Sequence, residues 1–142
     1  MRMPRAGSVL ALFAVLAFAA GCAEDTTGRA CDVLKRREAA ADPFGEIVLQ
    51  DPARLRQAFA DAVDTAVSLD RFAPAALKPD ATGALQAYRE LEALFARVEF
   101  IAAKVDVKRF GELRVQLLAA EAALSRFGIG TCGIRIGDRR AP

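Results

Sequence analysis

Four stretches of this chain place apolar residues at three- and four-residue spacing, and each is punctuated by an acidic cap, a proline or a glycine. That pattern constrains the fold more than any other feature. Ala30–Ala41 carries Cys31 and Leu34 inward and stops at Asp42-Pro43, because a residue before proline avoids the helical region. Asp51-Pro52 is a start signal: an acid able to accept from free N–H groups, then a proline at the first helical position. The helix that follows runs to about Leu69, with Leu55, Phe59, Ala62, Val63 and Ala66 inward. Pro74 and Pro79 bracket a connection, Arg71–Asp80, with room for a single turn. Asp80 is expected to cap a third helix, the longest, reaching about Val105. Its stripe is Leu85, Tyr88, Leu91, Leu94/Phe95, Val98, Ile101/Ala102 and Val105. Asp106 opens a fourth with Phe110, Leu113, Leu117, Ala120, Leu124 and Phe127, and Gly128 fits its left-handed C-terminal position. The fold class expected is therefore all-α, a four-helix up-down bundle. Phe44–Gln50 (FGEIVLQ) reads as a short strand or an irregular connection.

The N-terminus is a different object. Met1-Arg-Met-Pro-Arg5 is followed by the apolar run Val9–Ala20, which spans 12 residues. A bilayer-crossing helix needs about 20. The run suits the apolar region of an export signal, and it closes on Ala19-Ala20-Gly21-Cys22. This segment resembles the signal peptides of bacterial lipoproteins, in which small residues precede a cysteine. The resemblance implies cleavage before Cys22 and a diacylglyceryl thioether on its sulfur. Ala19 stands where that family usually has Leu, and ordinary cleavage after Ala17-Phe18-Ala19 is the other reading. Two acyl chains make a durable anchor where one holds only marginally, since each buried CH₂ contributes about 0.8 kcal/mol.

Lipidation of Cys22 would also resolve an odd cysteine count. Of Cys22, Cys31 and Cys132, the last two remain as a pair in a compartment where disulfides persist. A zinc site would need more ligands than two thiols in a chain without histidine, and thiol redox chemistry normally uses a C-x-x-C pair, which is missing. A Cys31–Cys132 disulfide is the expectation, contributing about 4–5 kcal/mol in the chain-entropy description. Four antiparallel helices return the chain to the end where it began, so the bundle and the disulfide imply each other. The mature region also has a loose resemblance to small actinobacterial exported helical proteins, through Cys31-Asp32, Ala73-Pro74-Ala-Ala-Leu77 and Thr131-Cys132-Gly133. That likeness implies a helical fold with terminal cysteines and no particular activity.

The organisation expected is a signal peptide at 1–21, a lipidated tether at 22–30, a bundle at 31–133 and a polar tail at 134–142. The precursor has 20 basic and 18 acidic residues; Arg2 and Arg5 fall in the signal, which holds no acid, so the remainder is formally balanced. Such a domain lacks the basic footprint of a nucleic-acid binder.

Candidate sites are few. With no histidine, the commonest acid–base group is missing, and the two serines after the signal, Ser68 and Ser125, sit in no nucleophile motif. No catalytic residue, metal site or cofactor is expected. Asp61 and Asp64 share a helix face, a spacing that suits a cation but more often marks a solvated face, and Glu90 and Glu92 diverge. Lys35-Arg36-Arg37 with Arg29, joined by Arg135, Arg139 and Arg140 if the disulfide forms, would gather near the anchor. Anionic headgroups would attract such a cluster, although Glu24, Asp25, Asp32, Glu38 and Asp138 dilute it to an ordinary mixed surface. Phe44, Ile47 and Leu49 either cover one end of the bundle or form a docking patch. Tyr88, the sole tyrosine, is expected to pack with its hydroxyl at the edge. These features favour an anchored, extracytoplasmic, non-catalytic binding or scaffolding module with a possible protein partner at the cell envelope. The alternative is a carrier of a lipid or small apolar ligand in a cavity between the last three helices.

Overall fold

Asp51 does locally what its position before Pro52 dictates. Its side chain accepts from the backbone N–H groups of Ala53 at 2.9 Å and Arg54 at 3.2 Å. This satisfies two of the donors that a helix start leaves free. From there the helix runs over Pro52–Phe72 in a computed structural model that describes residues 21–134. The described elements are α1 (Gly21–Ala39), the short α2 (Glu46–Leu49), α3 (Pro52–Phe72), α4 (Lys78–Ala96), a 3-10 turn (Ala102–Lys104) and α5 (Val107–Cys132). No strand occurs among the described residues. Expectations for the signal peptide, for Arg135, Arg139 and Arg140 and for most of the polar tail fall outside them.

The four long helices form an up-down bundle. Tyr88 on α4 meets Glu121 on α5, while Glu90 meets Arg109, so partners descend on one helix as they rise on the other. Phe59 against Phe95 and Asp70 against Thr82 give the same antiparallel sense for α3 and α4. α1 closes the ring by packing on α3 and touching α5. Cys31 and Cys132 are joined, their Cα atoms 5.4 Å apart across a sequence separation of 101.

The core follows the apolar stripes. Leu34, Leu55, Phe59, Leu69, Leu91, Phe95, Leu113, Leu117 and Leu124 are buried. Phe59 and Phe95 lie 5.1 Å apart, and Phe44 and Phe110 join them at 5.7 Å and 5.8 Å. Such offset and edge-on contacts add to simple area burial. Among the described residues no buried side-chain polar atom lacks a hydrogen-bond partner.

Several boundaries differ from the expectation. The segment 22–30 is helical and continuous with α1, and Ala30 within it is fully buried. The third helix does not reach Val105: it ends at Ala96, and α5 is the longest. At that end Glu99 and Phe100 take left-handed φ values of 54° and 61°, and the Phe100 N–H bonds back to the Phe95 carbonyl at 2.8 Å. Phe100 is thereby buried under Arg56, whose guanidinium lies 5.2 Å from the ring centre. Ala102 and Val105 still pack against the core, and Val98 and Ile101 are half-buried at the bundle end. Periodicity reported the side they face and could not report the break. Asp80 lies in the first turn of α4 instead of capping it; the helix starts two residues earlier, after a turn in which the Pro74 carbonyl accepts from Leu77 and Lys78. Gly128 is buried inside α5, and the left-handed residue is Gly133, at φ 65°. The Gly128 carbonyl accepts from the N–H groups of Gly133 and Ile134, so it ends the helix as an acceptor, five residues before the turn itself. Ile134, expected in the polar tail, is buried in the core.

Candidate interaction face

The charged residues near the start of the bundle do not act together. Arg37 turns inward and pairs with the Glu121 carboxylate, and its Nη2 donates to the Tyr88 hydroxyl oxygen at 3.2 Å. The Tyr88 hydroxyl donates to Glu121 Oε1 at 2.6 Å. Burial pushes the Tyr88 hydroxyl above its ordinary range, with the Glu121 charge adding to it and Arg37 opposing it. Burial works against the Arg37 charge, yet the Tyr88 and Glu121 oxygens outweigh it and hold the guanidinium firmly protonated. The three side chains knit α1, α4 and α5 together. Arg29 lies on the Phe72 ring at 5.3 Å and, with Asp32, Lys35 and Arg36, lines an open groove at the disulfide end.

The other expected sites separate. Asp61 and Asp64 are both exposed, and Asp61 accepts from Gln57 Nε2 at 2.8 Å. No group of three metal-ligating side chains occurs among the described residues. Glu90 pairs with Arg109 at 2.6 Å beside a surface cleft between α4 and α5. Phe44–Gln50 is neither strand nor irregular throughout: it carries the single turn α2. Phe44 is held between Phe59, Phe110 and Arg114, whose guanidinium lies 3.8 Å from its ring centre. Val48 and Leu49 pack on the core, but Ile47 is 71% exposed and does not cover the bundle end. The space between α3, α4 and α5 is filled by Phe59, Leu91, Phe95, Leu113 and Leu117.

The largest unexplained feature is the outer side of α5. Val115, Leu118 and Ile129 are 69%, 51% and 54% exposed. With Gly111, Ala119 and Ala122, also exposed, they form one surface. Gly111, Val115, Leu118, Ala122, Ser125 and Ile129 follow one another at four- and three-residue steps, the spacing of a helix seam built to meet another helix. A Cβ added at Gly111 would meet nothing, so the fold itself does not call for glycine in mid-helix, where it costs about 1 kcal/mol against alanine. Sequence inspection singled out the inward stripe from Phe110 to Phe127 and passed over this second one. The available signal was a second apolar stripe on the side of the helix opposite Leu113, Leu117 and Leu124, where a bundle helix is ordinarily polar.

A comparison with protein-family models, with curated proteins and with solved structures gave no match.

Proposed function

We propose that this chain is an exported lipoprotein, held through a diacylglyceryl group on Cys22 at the extracytoplasmic face of a bacterial membrane. Its bundle serves as a non-catalytic binding or scaffolding module. The observation that carries the binding role is the outer face of α5. Val115, Leu118 and Ile129 stand in solvent in a row on one helix, and exposed apolar surface of this kind marks interaction sites in folded domains. The ionisable groups that lie deepest, Arg37, Tyr88 and Glu121, satisfy one another between helices. The export signal and the cysteine pairing support the location. If Cys22 carries the anchor, α1 would act as a stiff spacer, since nine residues of helix rise about 14 Å between Cys22 and Cys31.

Two measurements test this reading. The intact mass of the chain recovered from membranes should carry a diacylglyceryl group on Cys22; a chain beginning at Ala20 with a free Cys22 thiol would overturn the anchor. A photo-crosslinking residue at Val115 should give a discrete protein adduct in intact cells, and one at the solvated Asp61 should not. Equal labelling from both positions, or none from Val115, would overturn the binding face.

A further inference from the structure

We propose that the outer face of α5 is self-complementary, and that two copies of this chain pair through it with their α5 helices antiparallel. The proposal deepens the reading of that face as a docking surface by naming its occupant. It rests on the order of residues along the seam. In an antiparallel helix pair, seam positions meet so that their numbers add to a constant. Setting that constant to place Leu118 on the second copy's Ala122 also places Gly111 on Ile129 and Val115 on Ser125. Every layer then joins a large residue to a small one, the alternation that lets two helices interdigitate closely. By symmetry each layer occurs twice, over a length of about 27 Å from Gly111 to Ile129.

Charge gives an independent check. Flanking positions on one side of the seam meet at a sum two lower than the seam itself, about 3 Å off level, and this sets Glu112 beside the second copy's Arg126, and Arg126 beside its Glu112, with the two Ala119 residues meeting between these pairs. Glu112 and Arg126 are both exposed. Arg126 has no ion pair among the described residues. Glu112 is shared with Arg109, which keeps Glu90 at 2.6 Å if Glu112 turns away. Opposite charges flanking a seam choose the partner and the direction of pairing. The exposed glycine fits too: Gly111 lies where the second copy's Ile129 needs a close approach, and nothing inside the monomer explains it. A hetero-partner would impose no such match between two halves of one helix.

The test uses the full chain in membranes, with Ala119→Cys as the reporter. Mild oxidation should join two copies through residue 119 well above the level given by the parent chain, which has alanine at that position. Arg126→Glu or Glu112→Arg in that background should slow crosslinking about tenfold, because each creates two like-charge contacts. The combined Glu112→Arg and Arg126→Glu chain should recover to near the starting rate, which also excludes misfolding as the cause of the single-variant losses. Crosslinking no higher than the parent, or a combined variant no better than the single ones, would overturn self-pairing. A crosslink from residue 119 only to a different protein would overturn it as well, while leaving the face as a docking surface.

Discussion

The hydroxyl of Tyr88 on α4 donates to Glu121 on α5 at 2.6 Å, and Arg37 of α1 reaches both groups. One phenol thus mediates between three helices. Tyr88→Phe should cost about 1–2 kcal/mol, since it strips one partner from a half-buried charged pair while leaving the ring in place. Chemical denaturation would read this directly. The pH dependence has a definite sign. The Tyr88 hydroxyl titrates higher in the folded chain than in the unfolded one, so its contribution is complete below the ordinary tyrosine value near 10. It is lost as pH rises from there toward the folded value, where the unfolded chain has given up a proton that the native chain keeps. The Tyr88→Phe chain should show a shallower alkaline loss of stability than the parent.

At low pH a different group acts. The Thr82 hydroxyl, working against burial and aided by Lys78, holds the Asp70 carboxyl below its ordinary value. Its stabilising effect is present above the ordinary carboxylate range near 3.9 and disappears as pH falls through the folded value. Thr82→Val should lower stability at neutral pH, with the difference from the parent vanishing as pH falls through the Asp70 range, so that the acid limb of a stability–pH curve becomes flatter. An unchanged acid limb would show that the contact contributes nothing.

The disulfide should matter most to α1. That helix packs mainly on α3 and is tied to α5 through Cys31–Cys132 and Arg37–Glu121. Replacing both cysteines by alanine should lower stability by about 4–5 kcal/mol. Hydrogen exchange should find the α1 amides released before those of α4 and α5.

Two positions with left-handed backbone predict opposite responses. Glu99 pays a steric cost that glycine would not, so Glu99→Gly should stabilise by about 0.5–1 kcal/mol after allowing for glycine's greater freedom when unfolded. Gly133→Ala, at φ 65°, should destabilise by about 1 kcal/mol although open space surrounds its α-carbon. Thermal melts of the two variants should move in opposite directions.

The class of the fold was open to reading from residue order because its causes are local. Asp51 before Pro52, Asp106 before the last helix and the stripes through Phe59, Leu91 and Leu117 act through contacts a few residues apart. The Cys31–Cys132 pairing followed from chemistry and parity, and the bundle contains it. The break at Glu99 and Phe100 was hidden, because Val98, Ile101 and Val105 keep the helical rhythm while serving a chain that has already turned. Gly128 reads as the helix end by residue type, but it is buried inside α5, and the positive φ falls on Gly133 five residues later. Arg37 read as one of a basic run, and it became the inward member of a triad because Tyr88 and Glu121 arrive from 51 and 84 residues away.

By itself, then, the order of residues determined an all-helical chain, the helix starts at Asp51 and Asp106 and the apolar stripes available to a core, since neighbours within a turn set those. Which side of α5 would be left in solvent was decided only by tertiary structure. That helix carries apolar stripes on two opposite sides, one through Leu113, Leu117 and Leu124 and one through Val115, Leu118 and Ile129, and one of them becomes external only when α3 and α4 have covered the other.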